Sequence, residues 1–596
     1  MFLCRKTYIN IFKAIISYNT HLTKPMLLKK FIVLINIVFL ITSLIFTLSC
    51  KNISSPFDLN TEQKNSSSTS YKDTVNNIED QKMFFKLKNS QKDKNALNSL
   101  NIRKAIFFAI DRERIVKELF GDNNKVLNSM FNTSSFFNDP VWSKYSYNPE
   151  KAKDLLSQAG YSLENPLFLT IGATDNSPTR IKIENIIKEN LDQIGIKLWV
   201  DNKPANEWYA STVKKGDFEL GIWSLYTYNP RELGNYLSSI KIPINETSEN
   251  KNCNNFYWYK NKEIDSLLKK IIGTENIDEK KNNTDKLQKI VSEEAIILPL
   301  FSRLFAVAHK KEINNIEISP VDGNFFKNIE NWVLADGTES KYSEVIVGMG
   351  PEPNTLNPFF EENTSMNYIN SLIINGLWIL DENSNYQPVL ADDGPDSVIN
   401  NRNSNIKKIR LKDNIFWEDG SPITAGDVKA TLDSIISDKS ISKFKSDFAK
   451  IDKIEVVNEK ELVVYFNENI EDWKKLFLYI FPKKDLEQNK LSNLYESDIF
   501  GSGLYKFKEW KKGEYLILAG NENYFGKKPL FKEIKIIFNN DENMPVESLK
   551  KGDIDILSIP VDLKLMEEIK SNKKLSLILK EGSLWEHLAI CLKPKE

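Results

Sequence analysis

Residues 344–360 read EVIVGMGPEPNTLNPFF, a short apolar run followed by a turn rich in Pro and Asn. Such a passage resembles the opening of a mature secreted protein, yet it begins at position 344 of 596. Either a second protein follows a first, or the usual start has moved into the middle of the chain. The residues on both sides decide between these readings.

A chain of this length holds more than one domain's worth of buried core. Hydrophobic residues make up 41% and charged residues 27%, as in ordinary soluble globular protein. Lys and Arg number 80 against 81 Asp and Glu, closely interspersed, so no basic field exists to hold a phosphate backbone and nucleic acid is not expected as a partner. The four cysteines (Cys4, Cys50, Cys253, Cys591) are too scattered for a disulfide framework. The three histidines (His21, His309, His587) show no metal-ligand spacing, and HExxH, CxxC, P-loop and GxSxG patterns are absent. That poverty weighs against a metallohydrolase or a Ser-His hydrolase and leaves a carboxylate-pair enzyme open, acidic residues being everywhere. The expectation is no enzyme, no metal site and no cofactor.

Residues 26–50, MLLKKFIVLINIVFLITSLIFTLSC, have the plan of a secretory signal. Lys29 and Lys30 form the charged start, an apolar run follows, and small residues precede Cys50. The segment resembles a bacterial lipoprotein signal in which Cys50 is the lipidated first residue, with Thr47 standing where Leu is more usual. An uncleaved membrane anchor is the alternative. Residues 1–50 are thus expected to be a signal peptide with lipobox, its true start at Met26. The expected location is the periplasm or cell surface, lipid-anchored to the membrane. The polar stretch 51–81 lacks apolar periodicity and reads as a disordered tether.

The folded part opens with helical spacing of Ile102, Ala105, Ile106, Ala109 and Ile110. In NPEKAKDLLSQAGY, Asn148 is placed to cap, Pro149 fits the first turn, Leu155 and Leu156 face inward and Gly160 ends the helix. A strand at 167–171, a helix with Ile183, Ile186, Ile187, Leu191 and Ile194 on one side, and a strand IKLWV follow. This alternation points to α/β architecture. Further on, KIEVVNEKELVVYF reads as a hairpin turning at 457–460, and DGSPITAGDV as turn residues leading into a helix.

LNIRKAIFFAIDRERIV, YNPEKAKDLLSQAG, KGDFELGIW, NFYWYKNKEIDSLL and EEAIILPLF are similar to successive landmarks in the C-terminal half of bacterial extracellular solute-binding proteins of family 5, the oligopeptide-, dipeptide- and nickel-binding proteins of ABC importers. EPNTLNPFF, IRLKDNIFWEDGSPITAGDV, GSGLYKFKEW, NENYFGKKPLFKEIKI and LKKGDIDIL resemble the N-terminal half. The resemblance implies an α/β, two-lobed periplasmic-binding-protein-like fold (type II, three-subdomain) with the C-terminal half preceding the N-terminal half. Residues 82–334 carry the one, 343–596 the other, and 335–342 (ADGTESKY) join the old end to the old start, a circular permutation. The segment that should lead from the first half into the helix at Arg103 is written twice, as 83–90 and as 584–594. The two copies either compete for one strand slot or lie side by side.

The resemblance further implies lobes closing on a small solute, such as an oligopeptide, a sugar or a blocked peptide, that passes to an ABC transporter permease. In peptide-binding members an aspartate meets the peptide's α-amino group within a pattern of Trp, two residues, Asp-Tyr, two residues, Pro. Here WSLYTYNP keeps Trp223 and Pro230 but has Tyr226 in place of the aspartate. Trp223, Tyr226 and Tyr228 are read either as packed aromatics or as a wall that stacks on the ligand. Phe256–Tyr259 is read as structural, and Met366 aligns loosely with a ligand-lining position. The lost aspartate also leaves open a second reading, a surface lipoprotein that keeps the fold as an adhesin or host-interaction protein.

Overall fold

Strand–helix alternation in the first segment produces β1 (Leu167–Gly172), β2 (Ile196–Val200), β3 (Leu220–Tyr226) and β4 (Ile297–Lys310). The computed structural model describes residues 78–594 apart from 92, 245–252, 275, 336–342, 361–362, 382–384, 395–404, 439, 442–444, 469, 471, 489–490, 495–499 and 539–545. Cys50, the signal segment and most of 335–342 therefore lie outside the described residues. The second segment supplies β5 (Glu344–Met349), β6 (Ile406–Arg410), β7 (Ile451–Asn458), β8 (Glu461–Phe466), β9 (Tyr505–Lys511), β10 (Tyr515–Gly520), β11 (Glu533–Phe538), β12 (Ile556–Ile559) and β13 (Leu575–Ile590). Ten of these form one mixed sheet in the order β9-β10-β11-β5-β12-β4-β13-β3-β1-β2. The opening stretch is thus an interior strand, β5, paired in parallel with β11 and β12.

The strands of the two segments interleave. β12 pairs with β4, and β13 lies between β4 and β3. The apolar cores interleave in the same way. The first core is built from residues such as Ile106, Leu191, Ile222 and Leu298, and takes Trp585, Leu588 and Ile590 from β13. The second is built around Val347, Leu432, Phe477 and Ile536, and takes Val307, Phe325 and Trp332 from the first segment. Neither segment closes its own core, because the alternating apolar faces of β3 and β4 need β13 as a neighbour.

Local signals acted as expected. Helix α1 (Ile78–Asn89) is followed by α2 (Leu100–Ala109), whose Ile102, Ala105, Ile106 and Ala109 are buried. In α3 (Pro149–Gln158) the Asn148 side chain accepts from Lys151 N, Leu156 is buried and Gly160 has φ +87°. Helix α4 (Pro178–Asp192) is capped by Ser177 and packs Ile183, Ile187 and Leu191 inward. β7 and β8 form the hairpin, with Glu459 and Lys460 as its loop. Thr424 and Asp427 form a reciprocal capping box at the start of the helix Ala425–Ser437.

Two expectations need correction. α1 begins at Ile78, inside the stretch read as tether, because Phe84 and Phe85 find the ring of Trp199 at 5.7 and 5.9 Å. The duplicated segment does not compete for a slot: residues 83–89 are helical, and 584–590 fill the strand position between β3 and β4. Lys88 pairs with Glu219, and Gln91 accepts from Phe168 N at 2.6 Å, which fixes the end of α1 to β1.

Removing residues 572–594 should unfold the first core although most of its residues remain. Circular dichroism of that truncation should show no cooperative melt, and a sharp transition near the full-length midpoint would refute the interleaving. In the intact chain Trp585→Ala should cost about 3–5 kcal/mol in urea unfolding.

Candidate functional site

Among the described residues, β4 and β13 are the strands of the sheet that reach both cores, with 14 and 16 residues respectively. Their pairing is interrupted where the cores meet. Glu581 opposes Leu304 and Trp585 opposes Ser302, so three residues bulge against Arg303 alone. Gly582 lies in this bulge, where a Cβ would come within 2.8 Å of the Phe305 ring. Ser583 N donates to Pro320 O at 2.7 Å and Ser583 O accepts from Thr227 N at 3.0 Å, tying the loop before the second core to the end of β3.

The end of β3 shows which aromatics are available. Strand alternation sends Trp223 and Leu225 to one face and Ser224 and Tyr226 to the other. Trp223 is buried, stacked on Tyr257 at 6.0 Å and edge-on to His587 at 4.9 Å. His587 contacts the Tyr257 hydroxyl at 3.0 Å, and burial lowers its pKa to about 3, so it stays neutral. Trp223 and the Tyr257 cluster are therefore core packing, and so is Met366, which is fully buried in the helix Thr364–Ile373 of the second core.

Tyr226 and Tyr228 differ from Trp223. Both are only partly buried, and their rings lie 6.0 Å apart. The Tyr226 phenol is pushed up by burial first, then by Glu232, Tyr228 and the Asp322 carboxylate from the loop beyond Pro320. Tyr386 of the second segment is likewise raised by burial, by Asp472, to which its hydroxyl donates, and by Tyr228. Tyr228 of the first segment is thus among the groups that raise the Tyr386 phenol of the second. Glu232 accepts from Tyr228 N at 2.7 Å and Asn229 N at 3.2 Å, yet burial outweighs these bonds and raises it to about 7.

Four polar residues on the same face carried no motif in the sequence. Glu586 stands directly opposite Ser224 and is fully buried. Arg180, from the first turn of α4, reaches it through Nη2–Oε1 at 3.1 Å and Nε–Oε2 at 3.3 Å. Arg303 reaches it from β4, with Nε to Oε1 at 2.9 Å. Burial alone would raise Glu586, but Arg180 and Arg303 hold it below its ordinary value. The period-two pattern through Ser224 and Tyr226 was the sequence signal that could have pointed to this face. Its partners come from three distant elements and left no local trace. Among the described residues no group of His, Cys, Asp and Glu is placed to hold a metal ion, and no helix is long and apolar enough to cross a membrane.

An open mixed sheet thus carries two cores joined where β4 pairs with β13. The family model for bacterial extracellular solute-binding proteins, family 5, matches residues 52–240 and 385–595. The chain belongs to that family. It is 25% identical over 249 residues to the oligopeptide-binding protein AppA of Bacillus subtilis, covering 40% of this chain and 45% of that one. It is 26% identical over 229 residues to the glutathione-binding protein GsiB of Escherichia coli K12, covering 38% of this chain and 44% of that one. The match to the solved structure of NikZ from Campylobacter jejuni, in complex with Ni(L-His), has 26% identity, covers 39% and 46% of the two chains, and has a TM-score of 0.34. The chain thus spans under half the length of the curated relatives it matches.

The raised Glu232 has a consequence for stability. A carboxyl whose folded pKa exceeds its unfolded value stabilises the fold most below the unfolded pKa, near 4.5, and loses that contribution as pH rises through about 7. Urea unfolding at pH 5 and pH 8 should therefore show a larger loss for the natural protein than for Glu232→Gln. Equal losses would place the Glu232 carboxyl in water.

Proposed function

We propose that this chain is a lipid-anchored solute-binding protein that captures a peptide or similar small solute for an ABC importer. The observation that carries the reading is the joining of the two cores along the β4–β13 ladder, which is interrupted at 582–584 where the cores meet. Such a joint permits hinge closure, and a ligand that touches both sides favours the closed form by its differential affinity. The relatives named as oligopeptide- and glutathione-binding proteins support a peptide-like solute. Lipidation at Cys50 rests on the charged, apolar and small-residue order of residues 26–50.

The circular permutation belongs to the same proposal, and three observations support it. Residues 591–593 line one small cavity together with residues 91 and 93–98, so the end of the described chain lies beside the approach to α2. Ala335 is bonded to Glu312 and Ser343 to Glu533, so the 336–342 connection starts and ends on the second core's structure. The family model matches in two separated stretches, and each relative in fewer than half of its residues, as expected when collinear matching can follow only one segment at a time.

Tyr226 shapes the ligand class. A free ammonium that loses its carboxylate partner inside a closed cleft forfeits about 3–5 kcal/mol. The protein should therefore bind N-acetylated peptides better than the same peptides with free amines, and Tyr226→Asp should reverse the order. Calorimetry with matched peptide pairs checks this, and tight binding indifferent to acetylation would remove Tyr226 from the site. A bound solute at a hundredfold excess over its Kd should add about 2.7 kcal/mol of stability. Absence of any such gain, with no small molecule found by mass spectrometry of the purified protein, would favour the surface-adhesin reading. In membrane fractionation, Cys50→Ser should release the protein or leave it as an uncleaved precursor. Unchanged attachment with normal processing would refute the lipid anchor.

A further inference from the structure

The cluster around Glu586 holds more positive charge than its structural role requires. Arg180 and Ser224 already satisfy the buried carboxylate: the guanidinium spans both oxygens, and Ser224 Oγ donates to Oε1 at 2.6 Å. Arg180 is itself held by Thr174 Oγ1 at 3.0 Å and is only 8% exposed. That pair would be a complete buried ion pair by itself. Arg303 adds Nε and Nη2, both to Oε1, so one oxygen receives four donors while Oε2 receives one. A carboxylate oxygen offers about two lone-pair sites, so Arg303 is the donor in excess.

Exposure points the same way. The Arg303 side chain is 45% exposed, against 9% for Arg180 and none for Glu586. Its Nη1 has no hydrogen-bond partner among the described residues. Two cations against one carboxylate leave a surplus of one positive charge. The neighbouring acids are engaged by other groups. Glu184 is raised to about 7 by burial and accepts from Asn202, and Glu581, opposite Leu304, accepts from Thr133 Oγ1 at 2.6 Å. Arg303 sits opposite the bulge where the cores meet, on the face shared by Ser224 and Tyr226. The cluster also adjoins the carboxyl ends of the parallel strands β1 and β3, where open α/β sheets place their ligands.

We infer that Arg303 is an anion subsite of the binding cleft, holding a carboxylate of the solute while Glu586 keeps its guanidinium oriented. Arg180 remains with Glu586, so ligand entry exchanges one of Arg303's partners and leaves no buried charge uncompensated. The planar fork of Arg303 suits a bidentate carboxylate, which makes an acidic solute the chemical class preferred at this end. The inference rests on the solute-binding reading for the identity of the carrier molecule, though not for the anion site itself.

Two measurements on the full mature chain test it. The first is calorimetry with N-acetylated tripeptides carrying either a free carboxylate or a carboxamide. The free acids should bind at least about tenfold tighter, roughly 1.4 kcal/mol. Arg303→Gln should bring acids down to the level of the amides while leaving the amides unchanged. The second uses the natural protein with labelled arginine, the Arg303 Nε–H resonance being identified by its loss in Arg303→Lys. Succinate should shift it saturably, and chloride at matched ionic strength should not. Equal binding of acids and amides by the natural protein, or a preference that survives Arg303→Gln, overturns the inference. So does an Arg303 resonance that succinate leaves in place or that chloride moves equally. Should no peptide bind while succinate still shifts Arg303, the peptide reading fails and the anion subsite stands.

Discussion

The pairing of β4 with β13 is the constraint on which the rest of the molecule depends. Each strand is long enough to cross from one apolar core into the other, and each comes from a different segment of the chain. Their ladder closes the first core through Trp585 and Leu588, and the sheet continues to the second core through β12 and β5. A ladder with few strands crossing the junction is stiff along each core and soft at its interruption. That interruption is the bulge around Gly582 and Ser583, where a side chain at 582 would strike the Phe305 ring.

The same interruption gathers the chemistry. Relaxed pairing near Arg303 lets its side chain turn toward Glu586, while Ser583 carries the hydrogen bonds that bring the 320–322 loop beside Thr227 and Tyr226. Polar groups so placed would be costly inside either core, and partners answer several of them: Arg180 by Glu586, Glu232 by backbone N–H groups, the Tyr368 hydroxyl by the Asp322 carbonyl. Aromatics divide by the same geometry. Those on the inward face of β3 are used up in packing, and those on the outward face remain partly open.

Much of the architecture was legible in the chain because it depends on short-range physics. The Asn148–Pro149 start, the Thr424–Asp427 box, the 451–466 hairpin and the spaced apolar residues of α2 and α4 are each settled within a few residues. The order of family-like landmarks also pointed to one body with interleaved halves. Reading 83–90 as extended was mistaken, since nothing local to that stretch reveals that Phe84 and Phe85 meet Trp199, more than a hundred residues away.

What the sequence by itself determined was the class of protein, α/β with no catalytic or metal-binding pattern, and the replacement of an expected aspartate by Tyr226. What only the tertiary structure decided was the use of each side chain. Trp223 and Met366 look like ligand-lining residues in sequence and are buried in cores, whereas Arg180, Ser224, Arg303 and Glu586 look unremarkable and converge. The physical reason is that a strand's two faces are fixed only by what packs against each. For β3 that neighbour is β13, which lies more than 350 residues further along the chain.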